Sequence, residues 1–181
     1  MQTAIVIIYT LALTVIFLYS LAQLNLVFNY LKAKKKKDDA PVFNFSNAEE
    51  IPFVTIQLPL YNELYVVERL LDNIAQIDYP LDKLEIQVLD DSTDESLQTT
   101  QSKIEALQAA GIPIKHITRT NRQGFKAGAL KEGLAIAKGE FIAIFDSDFV
   151  PNSDWLQKTV PYFKDEKIGV VQTRWAHLNR D

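Results

Sequence analysis

The sequence predicts an α/β fold in which a mostly parallel sheet carries helices on both faces, preceded by one transmembrane helix. From residue 53 onward, short apolar runs rich in β-branched residues alternate with segments of helical periodicity, which is typical of parallel βαβ units. Residues 1–31 contain no charged side chain. The composition, with 6 Gly, 7 Pro and no Cys, excludes collagen-like, low-complexity and disulfide-stapled proteins.

The amino-terminal apolar segment has the length of a membrane span. Residues 4–22 would extend about 28 Å as a helix, close to the thickness of the hydrocarbon core of a bilayer. Lysines follow at residues 32 and 34–37, and a basic cluster beside a span stays on the cytoplasmic side. A cleaved signal peptide is the alternative, but it normally has a basic start and a shorter apolar core. We therefore expect an integral membrane protein whose folded domain faces the cytoplasm, in a plasma, inner or Golgi membrane.

The chain divides by composition into three regions. Residues 1–31 are the predicted transmembrane helix, residues 32–51 a basic flank and tether without periodicity, and residues 52–181 the folded domain. Residues 38–181 contain 14 basic and 23 acidic side chains, a net charge of −9. Such a surface repels polyanions, so we expect no nucleic acid among the partners. The apolar segment makes the lipid bilayer an expected partner.

The elements of the domain follow from the spacing of apolar residues. Strands are expected at residues 53–58, 85–89, 114–118 and 141–145, with a weaker pattern at 169–172. Three helices lie between them, marked by apolar stripes in residues 67–77, 97–107 and 127–137. Ser92 and Glu95 fit a capping box at the start of the second helix. Gly111 and Pro113 fit its end.

Polar residues collect where the predicted strands end. The carboxyl ends of parallel strands share one edge, where such folds bind ligands, so we expect these groups to converge. Those that follow the first, second and fourth strands are Tyr61, Asn62, Glu63, Asp90, Asp91, Asp146 and Asp148.

Asp146 and Asp148 can offer oxygens to one divalent ion, although solvated turn aspartates have the same spacing. With no Cys and only two His, hard ions such as Mn²⁺ or Mg²⁺ are favoured. Asp90 and Asp91 could also cap a helix. Lys126, in the glycine-containing start of the third helix, could bind a phosphate or lie free at the surface. Fingerprints of dinucleotide-binding and P-loop proteins are absent from the sequence.

Five motifs occur in order at the predicted strand ends and helix start: PLYNE at 59–63, VLDDSTD at 88–94, GFKAGAL at 124–130, FDSDF at 145–149 and VQTRW at 171–175. Together they resemble the processive family 2 glycosyltransferases, and among these the cellulose-synthase-like mannan and glucan synthases. The resemblance covers roughly residues 52–181.

The resemblance implies a GT-A fold and an inverting, metal-dependent hexosyltransferase. Such an enzyme transfers a sugar from a UDP- or GDP-sugar to a growing β-linked polysaccharide. Tyr61, Glu63, Asp91 and Lys126 would bind the nucleotide, with Asp91 at the base or ribose. Asn62 and Asp90, which adjoin them, are also expected in the substrate site. Asp146 and Asp148 would hold Mn²⁺ or Mg²⁺ on the diphosphate.

The sequence also departs from the family pattern. Arg174 and Trp175 belong to a Q-T-R-W stretch that could support the acceptor path or pack. The general base of the family is an aspartate in a later T-E-D motif, which does not occur before Asp181. The chain therefore resembles an amino-terminal fragment, expected to bind donor with little or no transfer. The alternatives are a membrane-anchored nucleotide-sugar-binding module without catalysis and a single-sugar lipid glycosyltransferase.

Overall fold

The computed structural model describes residues 2–34, 40–45 and 48–174, and the chain divides into two compact units after Ala40. The first unit contains helix α1 (Gln2–Lys34), which is long and apolar enough to cross a membrane. Its hydroxyl groups at Thr10, Thr14 and Ser20 donate hydrogen bonds to carbonyls four residues earlier. These bonds satisfy polar groups that lipid could not.

The second unit is built on one parallel sheet with the strand order β3-β2-β1-β4. Its strands are β1 (Val54–Leu60), β2 (Leu84–Asp90), β3 (Ile114–Thr118) and β4 (Phe141–Ile144). Its helices are α2 (Val67–Ile74), α3 (Ser96–Ala109), α4 (Phe125–Ile136) and α5 (Trp155–Thr159), with 3-10 turns at Ala48–Glu50, Leu81–Lys83 and Val160–Lys164.

Alternate side chains of the central strands point to opposite faces of the sheet. Val54, Ile56 and Leu58 of β1 enter the hydrophobic core, which also contains side chains of α2, α3 and α5. The other face is covered by α4, where Gly133 lies so close that a Cβ atom would be 2.7 Å from Gln57 Nε2. Helices on both faces of a parallel sheet are the predicted arrangement, and the fold class is confirmed.

The face under α4 holds a buried polar cluster around Glu85. Thr55 Oγ1 and Lys115 Nζ donate hydrogen bonds to its carboxylate at 3.0 and 2.8 Å, and the Lys138 amide donates at 3.0 Å. Burial acts to raise the pKa of Glu85, but these donors outweigh it and hold the pKa below its ordinary value. The cluster therefore joins β1, β2, β3 and the end of α4.

Two local expectations are wrong. Residues 169–172 form no strand: they pair with no strand of the sheet, and Val170 is 81% exposed, whereas a strand needs a hydrogen-bonded neighbour. The capping box also does not form, because α3 begins at Ser96 with Glu95 at its N-cap. The Ser92 hydroxyl lies before the helix and accepts a hydrogen bond from the Asn62 backbone amide. Asp94 Oδ1 accepts from the Ser96 amide at the start of α3.

The segment before β1, predicted as part of the tether, partly packs on the domain. Phe43 and Phe45 contact the core, and the Phe43 ring lies 6.0 Å from the Tyr79 ring. Tyr79 donates its hydroxyl to the Pro52 carbonyl at 2.7 Å. Burial, aided by the charge of Glu140, raises the pKa of Tyr79 above its ordinary value. Its phenol therefore stays a hydrogen-bond donor at neutral pH.

Candidate functional site

A cleft of about 370 Å³ lies at the carboxyl edge of the sheet. Its walls come from the segments that follow β1, β2 and β4 and from the first turns of α4. Six of the eight residues predicted for the site line it: Tyr61, Glu63, Asp91, Lys126, Asp146 and Asp148. The convergence expected from strand polarity is therefore present.

Asn62 does not line the cleft. Its backbone is left-handed, with φ of 56°, a conformation that Asn tolerates better than most residues. Its amide N–H donates to Ser92 Oγ and its Oδ1 accepts from the Thr93 amide, both at 2.9 Å. Asn62 thus ties the segment after β1 to the segment after β2, and this bond network fixes the spacing between Tyr61 and Asp91.

Asp90 also lies outside the lining, beneath it. Its Oδ1 accepts from the Ser92 amide at 2.9 Å, and its Oδ2 lies 3.0 Å from His116 Nε2. Burial acts to raise the pKa of Asp90, but the hydrogen bonds from His116 and Ser92 outweigh it and lower the pKa. Asp90 therefore stays a carboxylate that supports the turn after β2.

Two arginines that the sequence analysis did not select belong to the site. Arg119, directly after β3, pairs with Asp91 through both carboxylate oxygens, and this pairing raises the pKa of Arg119. Arg122 lines the cleft, with its guanidinium carbon 3.1 Å from the Tyr61 ring centroid. Such a cation–π contact holds these two cleft-lining side chains together. The sequence feature that could have identified them is the occurrence of two arginines just before the glycine-containing start of α4.

Helix α4 begins with an unusual backbone. Gly124 and Phe125 have φ of 75° and 49°, which turns the chain sharply from the loop into the helix. At Gly128 a Cβ atom would lie 2.0 Å from the Gln123 carbonyl oxygen, so only glycine fits in this turn. The turn directs Lys126 into the cleft, where its ammonium group contacts the Asp146 carboxylate.

The carboxylates of Asp146 and Asp148 have the chemistry for a hard divalent ion. Both line the cleft, and the Asp146 side chain is 46% exposed, so water and phosphate oxygens can reach it. Among residues 2–34, 40–45 and 48–174, no three Asp, Glu or His side chains are grouped closely enough to hold a metal ion. An ion here would take its remaining ligands from solvent or ligand oxygens, which suits Mn²⁺ or Mg²⁺.

Residues beyond α5 lie apart from the cleft lining. Arg174 is exposed, and Trp175 lies outside the described residues. Thr173 Oγ1 accepts a hydrogen bond from Trp155 Nε1 at 3.1 Å. Both expectations for Arg174 and Trp175, support of an acceptor path or packing, stay predictions.

Several known proteins of similar sequence are plant mannosyltransferases. The chain is 42% identical over 135 residues to the probable glucomannan 4-beta-mannosyltransferase 7 of Oryza sativa subsp. japonica, covering 72% of this chain and 23% of that protein. It is 38% identical over 156 residues to glucomannan 4-beta-mannosyltransferase 1 of Cyamopsis tetragonoloba, covering 83% and 28%. The chain spans about a quarter of the length of these curated relatives.

Two solved structures resemble the domain. The mannosyltransferase PcManGT from Pyrobaculum calidifontis, in complex with GDP-Man and Mn²⁺, superimposes with a TM-score of 0.64 at 36% identity, covering 79% of this chain and 41% of that one. S. aureus TarS 1–349 in complex with UDP gives 0.53 at 28% identity, covering 63% and 32%. Both similarities agree with the GT-A fold implied by the five motifs.

The family model described as glycosyl transferase family 2 matches residues 55–180. The match includes β2, β3, β4, all of β1 except Val54, and every residue predicted for the site. The resemblance to family 2, and within it to cellulose-synthase-like mannan synthases, is confirmed by these relatives. The chain belongs to glycosyl transferase family 2.

Proposed function

We propose that this chain is the donor-binding portion of an inverting hexosyltransferase that extends a β-linked polysaccharide. The observation that carries the proposal is the cleft, whose lining contains both the nucleotide-binding candidates and the two aspartates Asp146 and Asp148. A nucleotide sugar needs both kinds of group, since its base and ribose need hydrogen-bond partners and its diphosphate needs cations.

The donor that we propose is GDP-mannose. The relatives at 38–43% identity are named mannosyltransferases, and the structural neighbour of higher identity was solved with GDP-Man. We assign Tyr61, Glu63, Asp91 and Lys126 to nucleotide binding, with Asp91 at the base or ribose. Arg122 adds a second cation on the same wall of the cleft.

We assign Asp146 and Asp148 to a divalent ion, Mn²⁺ or Mg²⁺, that supplies positive charge to the departing diphosphate. Lys126 contacts Asp146 and stands close enough to exchange this contact for a phosphate oxygen. In the transfer, an acceptor hydroxyl oxygen forms a bond to the anomeric carbon while the bond from that carbon to the diphosphate breaks. The base that accepts the hydroxyl proton is assigned to no described residue of this chain.

We further propose that α1 crosses the bilayer and holds the donor cleft on the cytoplasmic side. Lys32 and Lys34 lie in its last turn, and more lysines follow in the sequence. Basic residues beside a span are retained in the cytoplasm. Nucleotide sugars would then reach the cleft from the cytoplasm.

Calorimetric titration of GDP and UDP into the full chain in detergent micelles, with and without Mn²⁺, tests the proposal. We expect Mn²⁺-dependent binding of GDP in preference to UDP, weakened at least tenfold in Asp146→Asn and Asp148→Asn. Asp82→Asn is the matched control, because Asp82 lies in the turn before β2, at the opposite edge of the sheet. Equal weakening in the control, or no nucleotide binding by the folded chain, would contradict the proposal.

A further inference from the structure

The Arg119 side chain donates hydrogen bonds to several groups beside the cleft but does not line the cleft itself. The side chain is only 8% exposed. Its Nε donates to Asp91 Oδ1 at 2.6 Å, and its Nη2 donates to Asp91 Oδ2 at 2.5 Å. This bidentate pair fixes the plane of the Asp91 carboxylate. Each oxygen keeps a lone pair with which a ligand in the cleft can be bound.

The remaining donors of Arg119 hold the loop between β3 and α4. Nη1 donates to the Gln123 carbonyl at 2.9 Å, and Nη2 donates to the Phe125 carbonyl at 2.7 Å. The outermost contact, from Nη1 to Glu132 Oε1, is 3.2 Å long and more exposed. One guanidinium group thus bridges the end of β2 and both ends of the turn that opens α4.

The first turn of α4 is packed against this guanidinium. A Cβ atom at Gly128 would lie 2.7 Å from Arg119 Nη1, so the helix approaches as closely as glycine allows. The loop held in this way carries Arg122, whose Nε lies 3.9 Å from Asp91 Oδ2, and it leads directly into Lys126. The buried Arg119 side chain therefore positions three cleft-lining side chains, those of Asp91, Arg122 and Lys126.

We propose that Arg119 is a positioning residue for the donor site: it orients Asp91 and sets the loop that places Arg122 and Lys126 in the cleft. The inference rests on the proposed function. Lysine cannot replace arginine here, because a single ammonium group cannot span a carboxylate and two carbonyls in fixed planar geometry. The site therefore requires the planar guanidinium group of arginine and not only its positive charge.

The test compares three variants of the full chain in detergent micelles. Arg119→Lys keeps the positive charge and removes the planar guanidinium group. Glu132→Gln removes only the outermost contact of the same arginine. Lys115→Met removes the cation from another buried carboxylate, Glu85, which is 4% exposed and lies under α4 away from the cleft lining, so it reports general destabilisation. Each variant is measured for GDP affinity with Mn²⁺, for urea unfolding and for amide hydrogen exchange in residues 119–128.

We expect Arg119→Lys to weaken GDP binding roughly tenfold or more, since small displacements of binding groups are costly, and to speed amide exchange in residues 119–128. Glu132→Gln should keep wild-type affinity, and Lys115→Met should lose stability without losing affinity. Wild-type affinity and exchange in Arg119→Lys would overturn the inference, as would an equal loss of affinity in Lys115→Met. If wild type binds no nucleotide, the proposed function fails, while the exchange data still decide whether Arg119 positions the loop.

Discussion

Asp90 lies at the carboxyl end of β2, one residue before the cleft-lining Asp91, and is 2% exposed. Its partner His116 is held in turn by Gln101, whose Oε1 lies 2.5 Å from His116 Nδ1 and whose Nε2 donates to Glu105 at 2.6 Å. The hydrogen-bond chain therefore runs from the sheet into α3. Adjacent aspartates thus have different tasks: Asp90 holds the fold, and Asp91 faces the cleft.

Acid should destabilise the domain through Asp90. Because its pKa is lower in the folded protein than in the unfolded chain, its contribution is complete above roughly pH 4 and is lost as the pH falls through the folded pKa. We expect the free energy of unfolding to fall less steeply below about pH 4 in Asp90→Asn than in wild type. Urea unfolding followed by tryptophan fluorescence, from about pH 6 to pH 3, measures this slope.

The variant should keep part of the acid sensitivity, because the pKa of Glu85 is lowered in the same direction. Asp165→Asn, at a surface turn after the 3-10 segment, removes one carboxylate from an exposed position and is the control for the change in net charge. Identical slopes for Asp90→Asn and wild type would show that the Asp90 pKa does not differ between the folded and unfolded states.

The site residues that could be predicted from the sequence are those whose position is set by the end of a strand. Each of them lies within four residues after the end of a strand, so strand polarity alone predicted that they meet: Tyr61, Glu63, Asp91, Asp146 and Asp148. Arg119 also follows a strand, but its importance comes from contacts with Asp91 and with carbonyls of the following loop. No short-range pattern reports such contacts.

Among the elements, the turn into α4 has the tightest packing beside the cleft. Gly128→Ala would place a methyl group 2.0 Å from the Gln123 carbonyl oxygen. We expect a loss of roughly 1–3 kcal/mol in the free energy of unfolding, because the backbone must shift. The shift should also weaken nucleotide binding through Lys126.

Gly169→Ala is the matched control for this substitution. A Cβ atom there would meet nothing within 4 Å, so stability and affinity should both stay near wild type. Urea unfolding and GDP titration of the two variants give the comparison. A Gly128→Ala variant as stable as Gly169→Ala would mean that the turn is looser than the structure describes.

The bounds of β1 to β4 were predicted within two residues, because buried β-branched runs have few other places in an α/β protein. The weaker pattern at residues 169–172 was wrong. Gly111 ends α3 as expected, with φ of 87°. The Ser92 capping box failed because α3 begins four residues later, at Ser96, and the Ser92 hydroxyl bonds instead to Asn62, 30 residues away. Helix α5 has only five residues, too few for a periodic pattern, and was not predicted.

For the whole molecule, membrane attachment depends on the uninterrupted apolar surface of α1. Ile16→Arg would place a charge near the middle of the span, at a cost of roughly 2.5–3.5 kcal/mol. We expect a larger fraction of this variant than of wild type to be released by alkaline carbonate extraction. Val42→Arg, in the segment before the domain, should remain in the membrane fraction like wild type. Equal retention of Ile16→Arg would contradict a membrane-spanning α1.

The central claim is that the cleft at the carboxyl edge of the sheet holds the nucleotide of the donor. Photoaffinity labelling of the full chain with a GDP photoprobe and Mn²⁺, followed by peptide mapping, tests it most directly. We predict label in the peptides that contain residues 59–63, 89–91 or 119–126, removed by excess GDP. Competed label confined to the opposite edge of the sheet, around residues 79–85, would contradict the claim.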